Sequence, residues 1–324
     1  MPENEEKTSP SIHPQDYLRG PEQISSHFLK RQLYLFWLSL RPRESLMMLG
    51  VPVLGILFTE PVIDFTTFWK SLLFFIAAFA VAGHVYTLND LCGLTYDIYD
   101  QHKLERPIHS KQLQAREVFL FSLLMLLVGL TFDYMLNMSV LFIALVISIL
   151  WVIYAWPATL FKGIPILTSV MNGVGSGILP FLLGYALFCP GLDFKGFLIS
   201  IYFGIIAGAG QMNREIIDYE PDRQANLTTT AVKYGCRPTF IVSFIFFLLS
   251  SIYFAGLCWL HYLPHLSLAA FPLTGTLIHA YFFYHYLKTD LGRVFVIKYV
   301  KCYRAIYAFV GVGILITTLA HYTA

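Results

Sequence analysis

Charge is scarce in this chain. Asp, Glu, Lys and Arg make up 13% of its 324 residues, against 56% hydrophobic residues. A soluble domain carries about twice that charged share, so a water-soluble globule is excluded and the surplus Phe, Leu, Ile and Tyr must face lipid. Cysteine is scarce as well. The five present (Cys92, Cys189, Cys236, Cys258 and Cys302) lie far apart and form no CxxC pair, which argues against a zinc site or a disulfide framework. They read as small apolar side chains. No P-loop or dinucleotide fingerprint occurs, and no short internal repeat is evident. Nothing suggests nucleic acid as a partner. The start of the chain lacks the basic residues and short apolar core of a signal peptide. Residues 1–23, polar and containing Pro and Ser, read as a mobile tail, with residues 24–324 as one membrane domain. A compact chain without a transit peptide points to a bacterial inner membrane.

What the chain does have is long apolar runs. A membrane span needs about 20 such residues. Nine stretches meet that criterion, centred on Leu46–Val62, Phe68–Leu88, Val118–Met135, Val140–Trp156, Ile166–Leu187, Phe197–Ile217, Phe240–Trp259, Leu266–Tyr286 and Ala305–Ala320. Ile24–Leu40, which mixes Lys30 and Arg31 with Tyr34, Phe36 and Trp37, suits a helix lying in the membrane interface. With the N-terminus in the cytoplasm, only Lys70 and Lys195 of the 22 Lys and Arg residues fall on the far side. That sorting follows the positive-inside rule, and it supports both the orientation and the span count.

The same topology puts two acidic stretches on one cytoplasmic face. The first, LNDLCGLTYDIYDQHKLER at Leu88–Arg106, follows the second span and carries Asn89, Asp90, Asp97 and Asp100, then Lys103 and Arg106. The second, QMNREIIDYEPDRQA at Gln211–Ala225, follows the sixth span and carries Glu215, Asp218, Glu220 and Asp222. Carboxylates at the end of a membrane helix are costly to desolvate and are functional candidates. If the helices continued through them, Asp90 and Asp97, seven apart, would fall within about 20° of each other. Asp218 and Asp222 would form an i,i+4 pair that Glu215 joins. Like charges so spaced repel unless a cation lies between them. A hard divalent ion such as Mg²⁺, shared with phosphate oxygens, fits that need. Solvated helix ends at the membrane surface are the plain alternative, weaker for two clusters on one face than for one.

These motifs resemble those of the UbiA superfamily of intramembrane prenyltransferases. That family has NxxxDxxxD after the second span and DxxxDxxxD after the sixth. Here NDLCGLTYD is followed by DQHKLERPIHSKQLQAREV, which reproduces the RP continuation of the first motif. REIIDYEPD, followed by TTTAVKYG, stands at the second. Two positions depart: Gly93 and Arg214 occupy places where the family has Asp. Asp90 and Glu215 are adjacent and offer substitutes; alternatively fewer ions bind and Arg214 contacts diphosphate directly, as a planar donor can.

The resemblance implies an all-α membrane bundle of about nine transmembrane helices around a central cavity that opens near the cytoplasmic face. It implies a Mg²⁺-dependent prenyltransferase acting on a prenyl diphosphate and a lipophilic, aromatic acceptor, with Asn89, Asp90, Asp97, Asp218 and Asp222 as catalytic metal ligands. Lys162 would be a diphosphate ligand, against a plain topogenic lysine. Lys103 and Arg106 are phosphate candidates or ordinary cytoplasmic positive charge, and Arg214 and Glu215 complete the polar set. Arg41, in LRPRE, is either a binding residue or an interfacial anchor. Asn172, in the Gly-rich SVMNGVGSGILPFLLG, faces either a cavity or a packed neighbour. Small residues let helices approach closely, so packing is the first account of Gly173, Gly175 and Gly177. Tyr154 offers its ring to a cation or sits at the interface as many Tyr residues do. His84 reads as a packed polar residue before a ligand. Two other functions stay open: a terpene cyclase on the same scaffold, and a non-catalytic lipid-binding or transport protein.

Overall fold

The computed structural model describes residues 21–322, apart from 60, 63, 158–160, 264 and 290. All regular structure among them is helical: α1 (Pro21–Ser39), α2 (Pro42–Met48), α3 (Gly50–Leu57), α4 (Phe65–Cys92), α5 (Gln101–Leu104), α6 (Ala115–Leu136), α7 (Met138–Ala155), α8 (Leu167–Asn172), α9 (Leu179–Tyr185), α10 (Phe194–Ile217), α11 (Tyr219–Gln224), α12 (Thr230–Tyr234), α13 (Cys236–Trp259), α14 (Ala270–Leu287) and α15 (Arg293–Tyr322). Of the polar tail expected over 1–23, residues 1–20 lie outside the described residues, and Pro21–Gln23 form the first turn of α1.

Eight segments among the described residues are long and apolar enough to cross a membrane. The protein is therefore an integral, multi-pass membrane protein. The expected span Leu46–Val62 has a different form. It folds as α2 and α3 with a break at Leu49, whose N–H bonds to Leu46 O at 3.1 Å in a tightened turn. Pro52, two residues into α3, has no N–H for the carbonyl of Met48, which ends the regular ladder there. The 16 residues from 42 to 57 would reach only about 24 Å as a straight helix.

Polar caps set where the long helices begin. Asp64 accepts from Thr67 N at 2.7 Å at the head of α4. Asn137 accepts from Val140 N at 2.9 Å, so α6 and α7 are joined through a single residue. Asp193 accepts from Gly196 N at 2.8 Å at the start of α10. Each supplies an acceptor that the first turn of a helix otherwise lacks.

The segment 167–185 runs from α8 through a π-helical turn, Gly173–Ile178, into α9. Its glycines allow close packing, as the packing reading expected: Gly175 admits the side chains of Leu150 and Trp151, while Gly173 and Gly177 meet backbone. A Cβ on Gly173 would stand 2.9 Å from Gly204 O on α10, and one on Gly177 would collide with Phe203 O. Close approach of this kind is how membrane helices gain contact without a hydrophobic force between them. The main core gathers Phe74, Phe181, Phe203, Phe254 and Tyr202, and a second core of Phe240, Phe247, Tyr299 and Tyr303 joins α10, α13 and α15. A third, of Leu35, Ile108, Leu113 and Val118, seats α1 against the loop after α4. Leu29, Leu33, Tyr34 and Trp37 of α1 stay exposed, in keeping with a helix at the membrane interface.

Candidate functional site

The first acidic stretch does not continue as a helix. α4 ends at Cys92, and two short 3₁₀ turns follow, Gly93–Thr95 and Asp97–Tyr99. The phase argument for Asp90 and Asp97 therefore fails, yet the two residues still meet, because the chain folds back over Gly93. A Cβ on Gly93 would lie 3.0 Å from Asp97 Cγ and closer still to Oδ2. Glycine at 93 is the steric condition for Asp97 to hold its place.

Both carboxylates are buried, Asp90 at 4% exposure and Asp97 at 2%, and cations surround them. Arg106 donates to Asp90 Oδ1 at 2.6 Å. Arg41 grips the same residue through Nε at 3.2 Å and through Nη2. Arg41 takes a left-handed backbone (φ 47°) ahead of Pro42, and its guanidinium lies over the Tyr86 ring at 5.1 Å. It is thus part of the site's charge cluster. Burial first, then repulsion from Arg106 and Arg214, lowers its pKa to about 9. Lys103 donates to Asp97 Oδ1 at 2.8 Å, and Lys162, on the turn Phe161–Gly163, stands 3.5 Å from the same oxygen. Burial alone would push the Asp97 carboxyl up. The fields of Lys162 and Lys103, the Lys103 hydrogen bond and Arg106 outweigh burial and hold it below the usual range. Asp100 is bound elsewhere: Arg293, at the head of α15, donates to both of its oxygens at 2.9 and 3.0 Å.

The second stretch breaks too. Asp218 caps the end of α10, and α11 begins at Tyr219, but Asp222 N still bonds to Asp218 O at 2.8 Å. The pair therefore stays one turn apart. Arg214 is exposed and reaches Asp218 Oδ2 at 3.7 Å. Asp222 is buried at 7% exposure and makes no ion pair among the described residues. Burial first, then the Asp218 charge, raises its pKa to about 7, with Lys162 and Lys103 acting against them. Glu215 is used differently. Its Oε2 accepts from Thr230 N at 2.6 Å at the start of α12, leaving Oε1 without a partner.

The two stretches meet. α11 packs against the turn Asp97–Tyr99. Lys103 and Lys162 act on both Asp97 and Asp222, and Arg106 feels Asp97 and Asp218. Asn89 is half-buried at the end of α4, and its carbonyl accepts from Gly93 N. Tyr154, buried near the end of α7, lies within range of Glu215, Asp222 and Asp218, with Asn172 beside it. Asn172 itself donates to Thr168 O at 3.1 Å. His84 pairs with Ser122 of α6, Oγ to Nδ1 at 2.9 Å, so it packs between helices as expected. A cleft of about 550 Å³ adjoins the site, bordered by Tyr219, Glu220, Arg237, Leu291 and Arg293.

Three features were not anticipated. His109, two residues past Pro107, has Nε2 3.7 Å from Asp97 Oδ2, with its side chain 1% exposed. Asp90, Asp97 and His109 offer ligand atoms within 4.8 Å of one another. The Arg41–Asp90 and Arg293–Asp100 pairs join residues 49 and 193 positions apart, a separation no local motif signals. A lone His beside the RP continuation was the one visible hint.

Buried carboxylates from two helix ends, ringed by lysine and arginine on one side of a polytopic bundle, can hold a divalent ion together with a polyphosphate. This is the architecture of an intramembrane enzyme. The family model for the UbiA prenyltransferase family matches residues 49–301, and the chain belongs to that family of prenyltransferases. Among curated relatives, digeranylgeranylglyceryl phosphate synthase of Methanosarcina mazei is 28% identical over 221 residues, 66% of this chain and 74% of that protein. The synthase of the same name from Methanococcus maripaludis is 28% identical over 186 residues, 56% of this chain and 62% of its own. The fold matches that of a UbiA homolog from Archaeoglobus fulgidus bound to GPP and Mg²⁺, with a TM-score of 0.67 at 17% identity over 86% of this chain and 99% of that one. A solved digeranylgeranylglyceryl phosphate synthase also gives a TM-score of 0.67, at 20% identity over 90% of this chain and 99% of that one.

Proposed function

We propose that this protein moves an isoprenyl group from a prenyl diphosphate to a lipophilic acceptor, with Mg²⁺ as cofactor, at the cytoplasmic face of its membrane. The observation that carries this reading is the meeting of the two acidic stretches over Lys103 and Lys162.

The residues present fit a divalent ion. Asp222 is a buried carboxyl with no cation bonded to it among the described residues, and Asp97 Oδ2 and His109 Nε2 face each other without a hydrogen bond. Asn89, Asp90 and Asp97 on one side, and Asp218 and Asp222 on the other, would hold the ion. When bound, it supplies positive charge to the diphosphate as the bond to the allylic carbon breaks.

The chain's own cations add to that effect. Arg41, Lys103, Arg106 and Lys162 pair with or stand beside Asp90 and Asp97, and Lys103, Lys162 and Arg106 also act on Asp222 and Asp218, so with an ion bound the cluster would carry net positive charge toward a departing anion. Fixed in a partly buried site, they stabilise that anion without reorganising. Arg214 extends the positive rim beside Asp218. Tyr154, buried at 6% exposure and packed edge-to-face with Trp151, is an aromatic ring near the acidic residues, of the kind that stabilises an allylic cation, and Asn172 packs beside it. The apolar bundle below keeps water from that cation.

The acceptor is an electron-rich lipophilic molecule, and an aromatic ring meets that description. A second acceptor class is favoured by the curated relatives, both named as synthases of digeranylgeranylglyceryl phosphate: a glyceryl phosphate lipid whose hydroxyl is alkylated. Their names also favour transfer over cyclisation. Purified protein given geranyl diphosphate and Mg²⁺, with each acceptor class in turn, should release pyrophosphate and form one adduct. Asp97→Ala and Asp218→Ala should each abolish the release while expression is kept. Unchanged turnover in both would overturn the site, and a cyclic hydrocarbon formed without acceptor would overturn the transfer.

A further inference from the structure

The geometry points to His109 as a nitrogen ligand that joins Asp97 and Asp90 in a mixed imidazole–carboxylate site, one that takes first-row transition ions, from Mn²⁺ to Zn²⁺, in preference to Mg²⁺. The inference rests on the reading of the acidic stretches as a metal–diphosphate site and adds a ligand and a metal preference to it.

Three observations carry it. His109 Nε2 is buried and has no hydrogen-bond partner, although its side chain is only 1% exposed. A buried polar nitrogen left unpaired costs about 1–3 kcal/mol, so a group kept in that state points to an absent partner. That nitrogen is aimed at Asp97 Oδ2 from 3.7 Å. The distance is beyond hydrogen-bond reach and close to the spacing of two ligands on one ion. Ligands at about 2.1 Å from a metal stand about 3.0–3.4 Å apart. Finally, Asp97 Oδ2 accepts no hydrogen bond among the described residues, because Lys103 bonds to Oδ1. The pair is open without breaking a hydrogen bond, and Arg106, 3.9 Å from Asp97 Oδ2, would draw back from it. A carboxylate oxygen of Asp90 completes three ligand atoms within 4.8 Å once Arg106 and Arg41 yield their contacts with it, and their guanidinium groups are then free for phosphate.

The sequence keeps this geometry through two residues. Gly93 leaves room for Asp97 to fold back. Pro107, buried beside Ile108 in the core under α1, anchors the loop that presents His109. Imidazole favours borderline transition ions, whereas all-oxygen sets suit Mg²⁺. The carboxylates of Asp218 and Asp222 include no such nitrogen, so the preference is confined to the first stretch.

The test is Mn²⁺ binding to full-length protein in lipid nanodiscs without prenyl substrate, read by pulsed electron paramagnetic resonance. Wild type should show a ¹⁴N coupling on bound Mn²⁺. His109→Ala should lose that coupling and bind Mn²⁺ at least tenfold more weakly, while its Mg²⁺ affinity changes less than threefold. His109→Gln, which keeps the bulk, should behave alike and guards against a folding defect. No ¹⁴N coupling in wild type, or a coupling that survives in both variants, would overturn the assignment. The assay reads binding alone. Nitrogen coupling without pyrophosphate release would refute the transferase reading and leave this one, whereas release with Mg²⁺ and no coupling would do the reverse.

Discussion

Replacing Asp222 with Asn tests the electrostatics of the second acidic stretch in isolation. The amide keeps the shape of the carboxyl and removes its charge. In the ion-free protein the carboxyl sits at about 7 instead of 3.8, through burial first and then the Asp218 charge. Because the folded-state value is raised, the neutral acid is the form the fold prefers. Its contribution to stability is fully present below about pH 4 and is lost as pH rises through about 7. Ionising it at pH 8 therefore costs up to about 4 kcal/mol. The variant escapes that cost. It should melt several degrees above wild type at pH 8 and by less than half that margin at pH 5, where the folded wild-type Asp222 is neutral but the unfolded chain's carboxyl is already ionised. Mg²⁺ should reverse the order. At a hundred times its dissociation constant an ion bound only by the folded state adds about 2.7 kcal/mol. Wild type should gain that at pH 8, and the variant, short of a ligand, should gain little. Thermal melting in nanodiscs at pH 5, 6, 7 and 8, with and without Mg²⁺, measures both effects. Comparing the two proteins cancels the titration of groups that do not interact with Asp222. A difference that is the same at pH 5 and pH 8, or equal Mg²⁺ stabilisation of both proteins, would refute the reasoning.

Other outcomes follow from single contacts. Gly93→Asp places in this chain the residue its family has there, yet it should lower pyrophosphate release at least tenfold, because the new side chain displaces Asp97. Arg41→Ala removes a charged donor to Asp90, worth about 1.5–3 kcal/mol, so the affinity for a prenyl diphosphate should fall roughly ten- to hundredfold in a titration. Glu215→Gln weakens the cap on α12 and should lower stability by about 0.5–2 kcal/mol in a melting assay, while pyrophosphate release by the folded protein changes little. Arg293→Ala frees Asp100 and should speed amide exchange across residues 97–106, measured by mass spectrometry.

The long spans were legible because apolar runs of that length have no other stable home. The shared face of the two acidic stretches was legible from the sorting of lysine and arginine, and the packing of α11 against the turn Asp97–Tyr99 agrees with it. Helical phase was a poorer guide. It assumed that α4 continues past Cys92, whereas the meeting of Asp90 and Asp97 depends on two 3₁₀ turns and a missing Cβ at Gly93. Hydropathy alone could not show that Pro52 would break the segment at 46–62 into two short helices. Glu215 looked like a substitute for a missing acid, yet its carboxylate caps a helix that starts 15 residues later. Arg41, His109 and Arg293 join the cluster through tertiary contacts that spacing along the chain does not encode.

The central claim is that both acidic stretches act on one ligand through one metal-dependent clamp. A double-mutant cycle on binding of geranyl S-thiolodiphosphate in Mg²⁺ tests it most directly, using Asp97→Asn and Asp218→Asn. Each single variant should weaken binding at least tenfold, and the double variant should be little worse than either, because the two residues support the same bridge. Losses that simply multiply, or binding that either variant leaves untouched, would contradict the account.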